Sequence, residues 1–417
     1  MGTILTKLKS LLSKEKLFFQ DAFLNMMAFM IYIASQQIVL FPILAKLLDE
    51  DSYANVITFV TLMNAFCCFL GGQIGVTHQL ELDRYKDDAK GKDGDFLILM
   101  AGASLLIAIV FPIVLGLLRF DVPSVLFLTV TVLMSNFRLY IRFYFRVNSK
   151  YNHTIFQNLA YLVGIAAGLL LYPVLGYLWL PLFLAEGFAL VYTLFVIPKT
   201  TIRAQRSVHF FSTAKRYAGL GSVDAMTNTV TLIDKLLIYP LLGSYPLAVY
   251  NAGTATSKVT ELVINPLNEV ILVKLSKAKE SGGGALLRMI VLISLAVMAV
   301  LFAVSLPIIY GFTWVLYRQY LSDVTTIIFL LALACGVGAT ASIMKSFIIR
   351  YAKSSQLMAC YAVHIVCLAV SGYFGAMLFG VAGFAASVVL SKMELWASFV
   401  LTLRKALKVE HDDEKPV

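Results

Sequence analysis

Apolar runs of membrane-spanning length recur along the chain with short polar breaks between them. They fall at 18–45, 54–77, 96–118, 124–145, 154–175, 178–198, 217–241, 247–273, 287–309, 323–346, 355–377 and 380–403. A spanning helix needs roughly 20 mostly apolar residues, so the pattern predicts about twelve transmembrane helices and an all-α, polytopic membrane protein. The longest central polar stretch divides these runs six and six. The expected organisation is a six-helix lobe over 1–198, a cytoplasmic linker over 199–216, a second six-helix lobe over 217–403 and a charged tail over 404–417. The basic lead carrying Lys7, Lys9, Lys14 and Lys16 precedes an apolar run too long for a signal h-region, and it reads as the start of an uncleaved first span.

Lys and Arg positions orient the spans. With the N-terminus in the cytoplasm, 25 of the 34 basic residues fall in cytoplasmic segments, six lie within spans, and only Lys46, Arg119 and Arg318 fall in outer loops. That asymmetry across short loops is a positive-inside signal, and it puts both termini on the cytoplasmic side. The outer loops are very short (120–123, 173–177 and 378–381 are examples), which leaves no room for a catalytic domain outside.

Composition sharpens the class. Of the 417 residues 59% are hydrophobic and 14% charged, against about 25% charged in soluble domains. The net charge of +10 follows topology, so it does not imply a nucleic-acid partner. Cys67, Cys68, Cys335, Cys360 and Cys367 lie in apolar runs without metal-ligand spacing. The five histidines are scattered, with His364 read as a packing residue within a span. No phosphate-binding loop and no nucleophile–histidine–acid signature is present, so no enzyme, metal or cofactor is expected.

Polar residues inside the spans carry the candidate chemistry. An ionisable group at the bilayer centre costs about 2.5–3.5 kcal/mol on insertion scales. In the eighth span Asn251, Thr254, Lys258, Glu261, Asn265 and Asn268 recur at alternating spacings of three and four, which holds them on one helix face. The seventh span places Asp224, Asn228, Thr231 and Lys235 on one face, and the fourth does so with Ser135, Arg138, Arg142 and Arg146. Such stripes predict the lining of a central aqueous cavity. Their local alternatives are neutralisation of Lys258 by Glu261, interhelical hydrogen bonding, and snorkelling of Arg138 and Arg142. The bases suit an anionic substrate, and the buried acids suit coupling to a proton or sodium gradient. A short correspondence between Phe41-Pro42-Ile43-Leu44…Tyr53 and Tyr239-Pro240-Leu241-Leu242…Tyr250 suggests that the halves repeat. That alignment sets Gln36 and Gln37 against Asp234 and Lys235.

Leu232-Ile233-Asp234-Lys235-Leu236-Leu237-Ile238, Gly243, Val249-Tyr250-Asn251-Ala252, Asn265-Pro266 with Val273-Lys274-Leu275-Ser276, and Tyr144-Phe145-Arg146-Val147-Asn148 together resemble the polysaccharide (O-antigen) flippase family of the multidrug/oligosaccharidyl-lipid/polysaccharide exporter superfamily. The resemblance covers the whole chain. It implies translocation of undecaprenyl-diphosphate-linked oligosaccharide across the bacterial cytoplasmic membrane by alternating access. It further implies Arg138, Arg142, Lys235 and Lys258 as diphosphate-attracting groups, with Asn251 and Asn265 beside the substrate. Asp234 and Glu261 are implied as coupling-ion or charge-pair residues. Membrane lipids are expected partners, and a polysaccharide polymerase with its chain-length machinery is compatible with this reading. Two rivals remain open: a cation-coupled multidrug exporter of the same superfamily, and a membrane enzyme of polysaccharide assembly.

Overall fold

In the computed structural model, residues 23–86, 88–148, 150–197, 205–257 and 283–413 are described. They form twelve helices in chain order, joined by short turns, and no strand occurs among them. The first six are α1 (Phe23–Leu47), α2 (Glu50–Leu80), α3 (Ala89–Leu117), α4 (Val122–Val147), α5 (Tyr151–Leu175) and α6 (Leu180–Val196). The next four are α7 (Phe210–Leu242), α8 (Ser244–Thr254), α9 (Gly283–Leu316) and α10 (Leu321–Tyr351). The helical stretch Ser354–Asp413 breaks at Gly380, giving α11 (354–379) and α12 (381–413). Among the described residues eight helical segments are long and apolar enough to cross a membrane, the α11–α12 stretch counting as one. The protein is therefore a multi-pass membrane protein.

Local chemistry sets the helix ends. Asp88 caps α3 by accepting the Gly91 amide at 2.8 Å, and Asp121 caps α4 by accepting the Ser124 amide at 3.1 Å. Pro123 in the first turn of α4 has no amide to leave unpaired. Gly380, with φ 59° and ψ −138°, adopts a backbone conformation that side chains disfavour, and this lets α11 fold back into α12.

Two helices contain a π-turn. In α1 it spans Ser35–Leu40 and precedes Pro42, and the Phe41 amide bonds five residues back to Gln36. In α2 it spans Cys68–Gly72. There the Gly71 amide turns to Asn136 Oδ1 on α4 at 2.8 Å, so a buried donor that leaves its own helix is satisfied by a side chain.

The chain forms two compact units. One comprises Met1–Phe41 and Met63–Asp224, the other Pro42–Leu62 and Ala225–Val417. Helices α1, α2 and α7 thus each begin in one unit and end in the other.

In the first unit α4 packs against α2, α3, α5 and α6. Its buried face includes Leu128, Val132, Ser135, Asn136, Arg138, Leu139 and Phe143. The α5–α6 contact is the tightest there. A Cβ at Gly164 would lie 2.3 Å from the Leu184 carbonyl oxygen, and one at Gly168 would lie 2.3 Å from Pro181 Cα. Such small-residue spacing lets backbones approach where lipid supplies no hydrophobic drive. In the second unit α10 packs against α8, α9 and the α11–α12 pair. The α11–α12 crossing again rests on two glycines, Gly375 and Gly383, each close to the other's carbonyl.

Gly164→Val should therefore reduce folded protein. Overpacking costs about 1–3 kcal/mol, and here the obstruction is backbone. Gly102→Val on α3, where a Cβ meets nothing within 4 Å, is the matched control. Thermal unfolding in detergent should show a clear drop for the first and little change for the second.

Candidate functional site

Each unit buries a polar cluster that holds residues singled out by the sequence. In the first, Arg138 on α4 meets Glu186 on α6 through two parallel bonds, Nε to Oε2 at 2.7 Å and Nη2 to Oε1 at 3.0 Å. The side chains are 3% and 0% exposed. The planar guanidinium fork matches the carboxylate, which makes this the strong form of an ion pair. The rings of Tyr32 on α1 and Tyr161 on α5 each lie 4.8 Å from the guanidinium carbon, with centroids 5.2 Å apart. A cation over an aromatic face gains further stabilisation when desolvated. Gln36, in the α1 π-turn, donates to the Tyr32 hydroxyl at 2.9 Å and the Tyr161 hydroxyl at 3.0 Å. The Tyr32 hydroxyl in turn donates to Asn64 Oδ1 at 3.4 Å.

The rest of the α4 stripe is placed differently. Ser135 is buried. Arg142 has a buried Nε without a hydrogen-bond partner, and its guanidinium lies 5.6 Å from the Phe143 ring centroid. Arg146, one turn on, lies 5.1 Å from the same ring. Glu186 is committed to Arg138 and leaves the positive charge of Arg142 unneutralised by it.

In the second unit α7 and α8 form a hairpin about Gly243, and two consecutive residues on each helix pair across it. The Tyr250 hydroxyl donates to Asp234 Oδ2 at 2.7 Å, and Lys235 Nζ donates to Asn251 Oδ1 at 2.6 Å. The other Asp234 oxygen accepts the Lys235 amide at 2.8 Å. Asn251 passes the chain on, its Nδ2 donating to the buried Tyr53 hydroxyl at 3.2 Å. Phe384 on α12 meets the Tyr250 ring edge to face at 5.7 Å.

Further along the second unit, His364 on α11 is buried. Its Nδ1 donates to the Ser391 carbonyl on α12 at 2.7 Å and stands 4.0 Å from Glu394 Oε2. Glu394 Oε1 accepts from the Ser398 hydroxyl at 2.5 Å, while its buried Oε2 has no hydrogen-bond partner. Among the described residues no group of three or more His, Cys, Asp or Glu converges as a metal site.

The structure thus joins Lys235 to Asn251 and places Asp234 beside Tyr250. It joins Arg138 to Glu186 and leaves Arg142 one turn away. Lys258, Glu261 and Asn265 lie outside the described residues, as do the side chains of Asp224, Asn228 and Thr231. Spacing along the chain could not have paired Arg138 with Glu186, which is 48 residues distant. The usable signal was a lone acid in one span beside a surplus of bases in another.

No protein-family model matches the chain, and no curated protein does. Solved structures do. A point mutant of the Vibrio cholerae MATE transporter VcmN aligns over 94% of this chain and 97% of its own, with TM-score 0.64 and 15% identity. An inward-facing multidrug resistance MATE family transporter of the MOP superfamily aligns over 94% and 96%, with TM-score 0.61 and 14% identity. An outward-facing one aligns over 95% and 96%, with TM-score 0.57 and 15% identity.

Removing one partner of the first cluster should be severe. Breaking a buried ion pair from one side costs about 3–5 kcal/mol, whereas replacing both partners with apolar groups is often neutral. Arg138→Met and Glu186→Leu should each lower the unfolding temperature sharply, and the double variant should recover much of the loss. An additive double variant would show that the pair carries no coupling. The twelve-helix fold into which these clusters are built is that of the MATE transporters of the MOP superfamily.

Proposed function

We propose that this chain is a membrane exporter, and that its cargo is a lipid-linked oligosaccharide joined through a diphosphate. In this reading it carries undecaprenyl-diphosphate-linked repeat units from the inner to the outer leaflet of the bacterial cytoplasmic membrane by alternating access. Both termini then lie in the cytoplasm, as the basic bias of the loops suggests.

The carrying observation is the surplus positive charge of α4. Glu186 is bound to Arg138 in a closed pair, and Arg142 beyond it retains a buried Nε with no hydrogen-bond partner. An arginine with no carboxylate on its Nε among the described residues is suited to a diphosphate, which offers the same fork of oxygens. Arg138 is assigned to holding helices together and Arg142 to attracting the cargo. Lys235, Asn251 and, outside the described residues, Lys258 and Asn265 remain assigned to the cargo. Asp234 and Glu261 remain the candidates for coupling to a proton or sodium gradient. A polymerase acting on the delivered repeat units fits as a partner.

A second reading, a cation-coupled multidrug exporter, is favoured by the fold itself, since a multidrug resistance transporter is among the solved structures it resembles. Acids inside the second unit, Asp234 and Glu394, are compatible with that cargo.

Deleting the gene should strand lipid-linked repeat units on the cytoplasmic leaflet of the source cell, and the wild-type gene should clear them. Arg142→Gln should clear them at least ~10-fold more slowly at equal protein level, one lost charge-assisted contact of about 1.5–3 kcal/mol. Normal surface polysaccharide in the deletion strain, together with efflux of a cationic dye by the wild-type protein, would favour the multidrug reading.

A further inference from the structure

The segment that leads into α7 is fastened to the first unit. Asp95, near the start of α3, is fully buried. Its carboxylate accepts the Ser207 amide at 2.9 Å, the Tyr85 hydroxyl at 2.7 Å and the Ser207 hydroxyl. Tyr85 gives its one proton to Asp95, so the Thr213 hydroxyl, 2.8 Å away, donates to Tyr85. Burial pushes the Tyr85 phenol up to about 12, so it keeps that proton at physiological pH.

A second tie runs beside the first. Glu81, 1% exposed, pairs with Arg84 at 2.7 Å and with Arg216 at 2.5 Å. Arg84 also donates to the Ser212 hydroxyl at 3.1 Å. The surface beneath is shaped to receive the segment. A Cβ at Gly94 would lie 2.2 Å from the Gln205 carbonyl oxygen, and one at Gly91 would lie 2.7 Å from Ser207 Cβ. The edge of His209 meets the Tyr85 ring at 5.6 Å.

A loose tether between two halves needs none of this. Burying a carboxylate with three donors, and another with two guanidinium groups, is costly unless the contacts stay made. We propose that residues 205–216 form a permanent strap: the segment stays docked on the α2–α3 end of the first unit throughout the working cycle. The strap makes the first turns of α7 part of that unit, to which the chain up to Asp224 belongs. Freedom between the two halves then lies elsewhere than in these twelve residues.

Hydrogen exchange on the purified full chain tests this without any knowledge of the cargo. The amides of Ser207, His209 and Thr213 should exchange at least ~100-fold more slowly than free peptide. Asp95→Ala should release residues 205–213 while the α5–α6 pair stays protected. Ser207→Ala, which removes one donor and keeps the acid, should release them less. Exchange of 205–213 at free-peptide rates in the wild-type protein would overturn the proposal. Permanence is tested by joining Arg84→Cys to Ser212→Cys, both at exposed positions that meet in the strap, with a reducible bifunctional thiol cross-linker. Export measured in the cell, of repeat units or of dye, should be the same with the link closed or reduced. Loss of export on cross-linking, restored by reductant, would mean that the strap has to open.

Discussion

A guanidinium buried as completely as that of Arg138 has to be neutralised where it stands, because it is cut off from solvent. Arg138 meets that demand with a carboxylate fork, two aromatic faces and an amide that satisfies both phenols. With Arg138 on α4 and its partners on α1, α5 and α6, the arrangement ties four helices together. Their rotations about their own axes are therefore coupled, since turning any one of them by a third of a turn would withdraw a partner and leave a bare charge. The π-turn of α1 belongs to this arrangement. It carries Gln36 inward just before Pro42 removes an amide from the ladder.

The second unit answers the same constraint in a different chemical form. Its lysine and aspartate are neighbours on α7, and each is met by a neutral partner on α8, Lys235 by Asn251 and Asp234 by Tyr250. Both pairs are separated by 16 residues, so one hairpin register serves both, with Gly243 as the turn. The two halves of the chain therefore meet buried charge through different chemistry, a guanidinium–carboxylate fork in one and amide and phenol contacts in the other.

Hydropathy made nearly every helix legible, because a membrane imposes length and apolarity together. It read the membrane rather than the helix, however. The third apolar run starts at 96, yet α3 begins at Ala89 and includes Lys90, Lys92 and Asp95. The seventh starts at 217, yet α7 begins at Phe210. In both cases the helix continues past the apolar stretch, and the additional turns carry the strap contacts. The residues that pair across α7 and α8 were legible because a tight hairpin turns sequence spacing into contact. The Arg138–Glu186 pair was not, because periodicity assigns a residue to a face and says nothing of which helix lies opposite. The stripe of the eighth span is met by structure only as far as Asn251 and Thr254, since residues 258–282 lie outside the described residues.

The closed state of the first cluster changes which arginine can meet a cargo. For Arg138 to bind a diphosphate, Glu186 would have to surrender two charge-assisted bonds and remain, ionised and buried, beside the incoming anion. That repulsion would be set against whatever the phosphate gained. Arg142 has no Glu186 to displace. Its Nε is buried with no hydrogen-bond partner among the described residues, and Arg138 and Arg146 lie along the same stripe. An anion arriving there would relieve repulsion as well as supply a hydrogen-bond acceptor, whereas a cation would add to it. The sign of the charge left over on α4, rather than the number of bases in the span, is what argues for an anionic cargo on this fold.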